Sequence, residues 1–271
     1  MNTLEKYQLN KFLEKGYIVL NDLYKTETSL ELSVNLIKII NSFNLKKIQI
    51  KNYENYSKKK LVNIVLKSLH NLELMDHKYI KVIYDTLRDT DLVIRMMNHD
   101  TILKTISLLM GYEEKIPLYV RQIACRIDMP KNETFSLDWH QEAHYTMKGS
   151  QLIQVWAPAL NDIGAKNGSI KILEGSHKEG VAETEDYIPK VGHAQYVPKK
   201  SILEKYKEVQ LEINYGQAVL FSNTLIHKSG TNISDEPRLT LLGHYYNPLK
   251  EEFLNNMEKK STEPPQKNSY R

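Results

Sequence analysis

Cysteine is almost absent from this sequence, which contains only Cys125. One cysteine cannot form an intramolecular disulfide, so the chain is not a disulfide-stabilised scaffold, and a reducing, cytoplasmic setting is expected. No apolar run approaches the ~20 residues that a membrane-spanning helix needs. The N-terminal segment has no apolar core of the kind that signal peptides carry. We therefore expect a protein that is neither secreted nor inserted in a membrane.

The sequence also has little excess charge. Its 37 Lys and Arg against 33 Asp and Glu give a formal net charge of +4. The basic residues are scattered rather than arranged in a stripe, which argues against nucleic acid as a partner. A small-molecule partner is expected instead, and the sequence does not indicate the oligomeric state.

The chain changes character near residue 115. Before it, apolar residues recur at helical spacing, and the lysine-rich segment 46–60 is predicted to be a solvated connection. Gly111 is a suitable C-terminal stop for the last helix. Helices are predicted over residues 28–43, 61–74, 77–89 and 91–111.

After residue 115 the sequence consists of short runs rich in β-branched and aromatic residues, with Gly, Pro, Asn and Asp between them. Such runs predict strands, here residues 117–129, 151–158, 168–175, 209–213, 218–222 and 238–246. Many short strands in one stretch are typical of a sandwich or jelly roll. We expect one α+β domain over residues 1–271, in which a largely helical N-terminal region, residues 1–115, packs outside a jelly-roll core at 116–248. Residues 249–271 are predicted to be a C-terminal tail.

Two histidines and a carboxylate predict a metal site. His140 and Glu142 are two residues apart, and on a strand such residues point to the same face. His227 follows an apolar strand and precedes a Ser-Gly turn, so it can supply a third ligand. Two His and one carboxylate form the facial triad of non-haem Fe(II) oxygenases, which leaves positions open for cosubstrate and O2. The tripeptide alone is weak evidence, because a histidine on a strand is more often structural.

An arginine strengthens this interpretation. Arg238 lies eleven residues after His227 on the next predicted strand, and Ser229 lies two residues after His227. A guanidinium can clasp a carboxylate through two parallel hydrogen bonds. The pair therefore predicts a socket for one carboxylate of 2-oxoglutarate, whose other end would chelate the metal. The alternative is that Arg238 is an ordinary surface residue of a strand.

The segment His140-Gln141-Glu142-Ala143-His144-Tyr145 resembles the metal motif of the phytanoyl-CoA dioxygenase family. The resemblance continues in order and spacing over most of the chain, although the helices at 28–111 carry little of it. It extends through residues 12–20, 154–160, 167–169, 174–178, 216–221, 227–230, Asn232 and 237–238.

The family resemblance implies a double-stranded β-helix that uses Fe(II), 2-oxoglutarate and O2 to hydroxylate a small molecule, with release of succinate and CO2. It gives the iron-ligand roles to His140, Glu142 and His227, and the cosubstrate-carboxylate role to Arg238 with Ser229. One departure is that the usual carboxylate of the family is Asp, whereas this chain has Glu142. Related halogenases have a small residue there, so Glu142 favours oxygenation over halogenation.

Other residues are weaker candidates. Gln122 and Arg126 share one face of the strand before the metal motif, and they are expected to contact cosubstrate or substrate. Tyr145 and Trp156 are expected to contact substrate, although each also has a structural interpretation. His244 is expected to be structural. The long polar segment 179–206 and the loop 130–136 are expected to shape substrate choice.

Two other functions remain open from the residues alone. A metal-dependent hydrolase of the cupin type could use the same three ligands with zinc or manganese, but it would need no Arg238–Ser229 socket. A non-catalytic jelly-roll protein that binds a metabolite would not need all three ligands together.

Overall fold

A computed structural model describes residues 1–45, 49–132, 136–185 and 195–262 of the chain. The described part of the first 110 residues is mainly helical, as predicted, and it includes a short 3-10 helix, Tyr53–Asn55. The α-helices of this region are α1 (Thr3–Lys15), α2 (Thr26–Ser42), α3 (Lys58–Met75), α4 (His77–Leu87), α5 (Asp91–Met97) and α6 (Asp100–Leu109).

Local capping explains where several helices begin and end. Asn2 and Glu5 form a capping box at the start of α1, and Gly16 ends that helix in the left-handed conformation, at φ 84°. The single helix predicted over 91–111 is two helices, because the chain leaves the helical path at Asn98 and His99 then caps α6 through the Thr101 N–H. Of the predicted connection 46–60, residues 46–48 lie outside the described residues.

Six strands lie on or overlap the predicted runs after residue 115, and two further strands, one before α2 and one at His227, were not predicted. The strands are β1 (Tyr17–Leu20), β2 (Tyr119–Asp128), β3 (Leu152–Pro158), β4 (Lys171–Leu173), β5 (Glu208–Gln210), β6 (Ala218–Ser222), β7 (His227–Lys228) and β8 (Arg238–Tyr246). A short helix, α7 (Lys200–Leu203), precedes β5. The prediction of helices combined with antiparallel strands is confirmed.

The strands form two antiparallel sheets. The larger has the order β1-β6-β3-β8-β2, and the smaller has the order β5-β4-β7. An isolated bridge pairs His140 with His227 of the smaller sheet. Trp156 and Phe221 of the larger sheet share one apolar cluster with Ile172 of the smaller sheet, so the inner face of the larger sheet is turned towards the smaller one.

The opposite face of the larger sheet packs on the helices. Cys125, Val155 and Leu241 belong to the same apolar cluster as the buried residues of α2 to α6, and the buried Tyr245 hydroxyl donates to the Met97 carbonyl of α5 over 2.6 Å. Because side chains alternate along a strand, the residues between these core positions point to the inner face. The alternation therefore places Arg238, Thr240, Leu242 and His244 in a row on that face.

The C-terminal segment differs from the predicted tail. Residues Glu251–Thr262 form helix α8, whose Phe253 packs against Leu152 and Tyr246. The i, i+4 spacing of Phe253 and Met257 is the sequence signal of this small apolar face. Residues 263–271, the end of the predicted tail, lie outside the described residues. Among the described helices, none has both the length and the hydropathy of a bilayer span.

Candidate metal centre

The structure brings together the three residues predicted to bind a metal. His140, Glu142 and His227 are all buried, and one potential ligand atom of each lies within 4.8 Å of the others. The strand expected to carry His140 and Glu142 is not formed, since His140 makes only an isolated bridge and Glu142 opens a 3-10 helix, Glu142–His144. Gln141 between them is nevertheless extended, at φ −120° and ψ 138°, so the two side chains still turn to one side.

Backbone carbonyl groups fix the orientation of both imidazoles. His140 Nδ1 lies 2.7 Å from the Asp138 carbonyl oxygen, and His227 Nδ1 lies 2.9 Å from the Leu225 carbonyl oxygen. A carbonyl accepts only from a protonated nitrogen, so in each neutral ring Nδ1 carries the proton and Nε2 keeps its lone pair. Both Nε2 atoms face Glu142 Oε1, at 3.5 Å and 3.9 Å. This is the orientation in which histidines coordinate a metal.

The electrostatics of the cluster also suit a cation. Burial would raise the pKa of Glu142, but its close contact with His140 and the proximity of His244 and His227 outweigh burial and lower the pKa to about 2. Burial and the proximity of His140 lower the pKa of His227 to about 3. At neutral pH the site therefore offers an ionised carboxylate and an unprotonated His227.

Two further polar residues reach Glu142 from the larger sheet. His244 Nε2 lies 3.6 Å from Glu142 Oε2, and Gln154 Nε2 donates to Glu142 Oε1 over 3.4 Å. Gln154 and His244 are direct partners across β3 and β8. The sequence prediction treated His244 as merely structural. The signal that could have placed it here is its even spacing from Arg238 along β8, which puts both side chains on one face.

A second polar group lies at the start of β8. Arg126, Asp128, Ser136, Ser229 and Arg238 line one small pocket. Both Arg238 Nε and Nη2 donate to Asp128 Oδ2, over 3.2 Å and 2.8 Å, and Arg126 Nε donates to Asp128 Oδ1 over 2.7 Å. The structure thus places Arg238 and Ser229 at one pocket, as the sequence suggested, together with Arg126 and a nearly buried carboxylate that sequence reasoning missed.

The hydrogen bonds to Asp128 reduce the number of Arg238 N–H groups that can bind a cosubstrate carboxylate. Arg238 Nη1 also donates to the carbonyl groups of Gly230 and Asn167, over 3.3 Å and 3.5 Å. These bonds leave at most one of the five guanidinium N–H groups for another acceptor. The two-bond clasp of a cosubstrate carboxylate is therefore not available in this arrangement. Burial would raise the pKa of Asp128, but the positive charges of Arg126 and Arg238 outweigh it and lower the pKa, so the carboxyl group is ionised.

Glycines let the backbone approach this pocket. Gly168, at φ +83°, lies so close to its neighbours that a Cβ there would be 2.5 Å from the Gly230 carbonyl oxygen and 2.7 Å from Arg238 Nη1. A Cβ on Gly230 would lie 2.2 Å from the Ser169 carbonyl oxygen. The turn at Asn167 and Gly168 therefore needs glycine both for its conformation and for space.

The remaining predicted residues are more distant or are engaged in packing. Gln122 is exposed on β2, and Trp156 is part of the apolar cluster between the sheets. Tyr145 is partly exposed, its ring centroid is 6.0 Å from that of His140, and its hydroxyl accepts from the Tyr196 N–H over 2.8 Å. Their contact with substrate stays a prediction.

The segments expected to shape substrate choice are only partly described. Residues 186–194 and 133–135 lie outside the described residues. Gln195 Oε1 accepts from the Asp138 N–H over 2.9 Å, and the Tyr196 ring stacks on His144 at 5.4 Å. Gln195 and Tyr196, within the segment 179–206, are thus held against both flanks of the metal motif.

Comparison with known proteins gives structural and family matches. A search of curated proteins found no match. The epimerase SnoN, crystallised with Fe3+, alpha-ketoglutarate and nogalamycin RO, superposes with a TM-score of 0.60 at 14% identity, over 90% of this chain and 84% of that one. EctD from S. alaskensis, with 2-oxoglutarate and 5-hydroxyectoine, gives a TM-score of 0.58 at 15% identity, over 93% and 79%. AviO1 from Streptomyces viridochromogenes Tue57 gives 0.55 at 14%, over 92% and 98%.

The family model of phytanoyl-CoA dioxygenase matches residues 12–240, which is most of the chain. This match and the fold confirm the predicted family and, through it, the predicted enzyme class with iron and 2-oxoglutarate as its cofactors. Members of this class act on small molecules. The chain belongs to the phytanoyl-CoA dioxygenase family.

Proposed function

We propose that the protein is an Fe(II)- and 2-oxoglutarate-dependent dioxygenase that hydroxylates a small-molecule substrate, with release of succinate and CO2. The observation that carries the proposal is the buried cluster of His140, Glu142 and His227 in a chain of this family. The proposal includes one oxygenase domain over residues 1–271, with a jelly-roll core at 116–248. A cytoplasmic setting is included as well and rests on the single cysteine.

The donor set fits iron. Two imidazole nitrogens and one carboxylate oxygen are the ligands of the facial triad, and both outer nitrogens are satisfied by carbonyl groups. His140, Glu142 and His227 would hold the metal, and the ionised Glu142 supplies the negative charge that a divalent cation needs. When bound, Fe(II) supplies O2 activation coupled to oxidation of 2-oxoglutarate, and the protein contributes binding, orientation and exclusion of water.

The pocket at Arg238 fits one carboxylate of the cosubstrate. The guanidinium groups of Arg126 and Arg238 meet there beside the Asp128 carboxylate, and guanidinium groups are suitable partners for a carboxylate ligand. Thr240 lies opposite Arg126 across the strands, and its buried hydroxyl has no hydrogen-bond partner among the described residues. The buried hydroxyl of Ser169, beside Gly230, likewise has no hydrogen-bond partner among the residues that the structure describes. Unsatisfied buried hydroxyls next to a charged pocket are what a polar ligand would complete.

Roles for the other residues follow from their positions. Arg238, Arg126 and Ser229 would hold the distal carboxylate, with Asp128 sharing the guanidinium of Arg238. Tyr145, partly exposed beside His140, would border the substrate entrance. Hydroxylation is proposed over other outcomes because the family model is that of a dioxygenase, although SnoN, on the same fold, is an epimerase.

The test is a metabolite screen of the Fe(II)-loaded protein in which succinate formation from 2-oxoglutarate is measured. A compound that accelerates succinate release and gains one oxygen atom would support the proposal. A compound that is hydrolysed without consumption of 2-oxoglutarate would favour the metal-dependent hydrolase instead.

A further inference from the structure

The carboxylate of Glu142 is contacted on two sides. Its Oε1 faces the His140 and His227 nitrogens, at 3.5 Å and 3.9 Å. Its Oε2 faces His244 Nε2 at 3.6 Å, on the side of the larger sheet. One oxygen is thus turned to the metal-binding nitrogens, and the other is turned to a residue that is not among the three candidate ligands.

Hydrogen bonds of the neighbouring residues fix the backbone at Glu142. The fully buried Gln141 side chain donates to the Gly180 carbonyl over 2.9 Å and accepts from the Ala182 N–H over 2.8 Å. On either side of Glu142, the His140 N–H donates to the His227 carbonyl over 3.0 Å, and the Ala143 N–H donates to the Asn223 carbonyl over 3.0 Å. These bonds prevent the backbone from moving to compensate for a shorter side chain.

The length of the side chain therefore decides which groups the carboxylate can reach. An Asp at position 142 would retract it by about 1.5 Å, one carbon–carbon bond. From that position the carboxylate cannot keep its distances both to the two ligand histidines and to His244. The longer Glu side chain reaches both. The presence of Glu instead of the Asp usual in the family is thus matched by the position of His244 in this chain.

We propose, on the basis of the proposed function, that His244 and Gln154 are positioning residues that hold the Glu142 carboxylate towards the metal, and that Glu is required here because of them. Both side chains come from paired positions of rigid strands, β3 and β8, and are nearly fully buried. His244 contacts the outer oxygen, Oε2, and Gln154 donates to Oε1. A carboxylate ligand held by such partners needs less reordering when the metal binds.

The experiment measures binding of Co(II) alone, by calorimetry and by its visible ligand-field spectrum, so that no turnover is needed. Loss of an outer-sphere partner typically weakens metal binding by 10- to 100-fold, and this loss is expected for both His244→Leu and Gln154→Leu. His244→Gln keeps an N–H donor and should recover some of the loss. His70→Leu, a half-buried histidine of α3, is the control and should bind as the wild type does.

A double-mutant cycle separates positioning from a general effect on the fold. Glu142→Asp should weaken Co(II) binding although Asp is the usual residue of the family, and His244→Leu should add little to it because the contact is already lost. Fully additive losses, or wild-type affinity in His244→Leu, would overturn the proposal. Failure of the wild type to bind Co(II) would instead overturn the proposed function.

Discussion

The carboxylate of Asp128 accepts hydrogen bonds from the Arg238 guanidinium that is proposed to bind the cosubstrate. Loss of the Asp128 charge should therefore lower the stability of the protein but raise its affinity for 2-oxoglutarate. Asp128→Asn keeps the size of the side chain and removes its charge. Without cosubstrate, the buried Arg238 has then lost its carboxylate partner, and the partly buried Arg126 has lost one of its partners. With cosubstrate, its carboxylate takes the place of the missing charge. The variant should therefore be less stable alone and bind 2-oxoglutarate more tightly.

The magnitudes follow from the contacts. Removal of one partner of a buried ion pair costs about 3–5 kcal/mol, which lowers Tm by on the order of 10 °C in a chain of this size. Two carboxylates that share a guanidinium at ~6 Å repel by about 3 kcal/mol at an effective dielectric constant of ~20. Relief of that repulsion should tighten 2-oxoglutarate binding by roughly one to two orders of magnitude.

The assay is thermal unfolding and calorimetric 2-oxoglutarate binding of the metal-loaded wild type and Asp128→Asn under argon. Asp235→Asn is the matched control, because Asp235 pairs with Lys131 at 3.2 Å on the surface, with 89% of its side chain exposed. An exposed pair contributes ~0–1 kcal/mol, so this control should leave both quantities nearly unchanged. Equal or weaker 2-oxoglutarate binding by Asp128→Asn would refute the reasoning and show that Asp128 only orients Arg238.

Three other outcomes are expected. Gly168→Ala should lower the free energy of unfolding by about 1–3 kcal/mol, because φ +83° strains alanine; a stability equal to that of wild type in urea denaturation would contradict the close approach seen here. The Cys125 thiol should not react with a thiol reagent in the folded protein, since it is fully buried and burial raises its pKa to about 12; rapid labelling before unfolding would disagree. The metal-free protein should lose stability as pH falls from about 6.5 towards 3. The pKa of His227 is lowered from 6.5 to about 3 in the folded protein, so in this range only the unfolded chain binds a proton at His227. Denaturation at pH 7 and pH 5 should show a larger loss of unfolding free energy in wild type than in His227→Asn.

Most strand and helix positions could be predicted from the sequence, because the spacing of apolar residues indicates which side of an element is buried. The runs at 151–158, 218–222 and 238–246 lie on β3, β6 and β8 within a residue or two. The break between α5 and α6 was not readable, because it depends on a cap by His99, an uncommon capping residue. Helix α8 was missed because its apolar face is narrow, and its stability comes from Phe253 packing on residues distant in sequence.

In the candidate site, too, local spacing could be predicted from the sequence, whereas contacts between distant residues could not. The spacing of His140 and Glu142 predicted their convergence although the strand assumed for it is absent, because an extended Gln141 alone turns both side chains to one side. The pairing of Asp128 with Arg238 depends on the register of β2 against β8, which no local pattern specifies. The approach of His244 to Glu142 likewise joins a strand to a 3-10 turn, and such a contact exists only in the folded chain.

Binding of iron and 2-oxoglutarate at one site can be measured by anaerobic titration of Fe(II) and then 2-oxoglutarate into the purified protein, monitored in the visible range. We expect a charge-transfer absorption that appears only when both are present, that is lost in His140→Ala and His227→Ala, and that Asp235→Asn retains. A protein that binds Fe(II) but shows no such absorption with saturating 2-oxoglutarate would not be an oxygenase of this class.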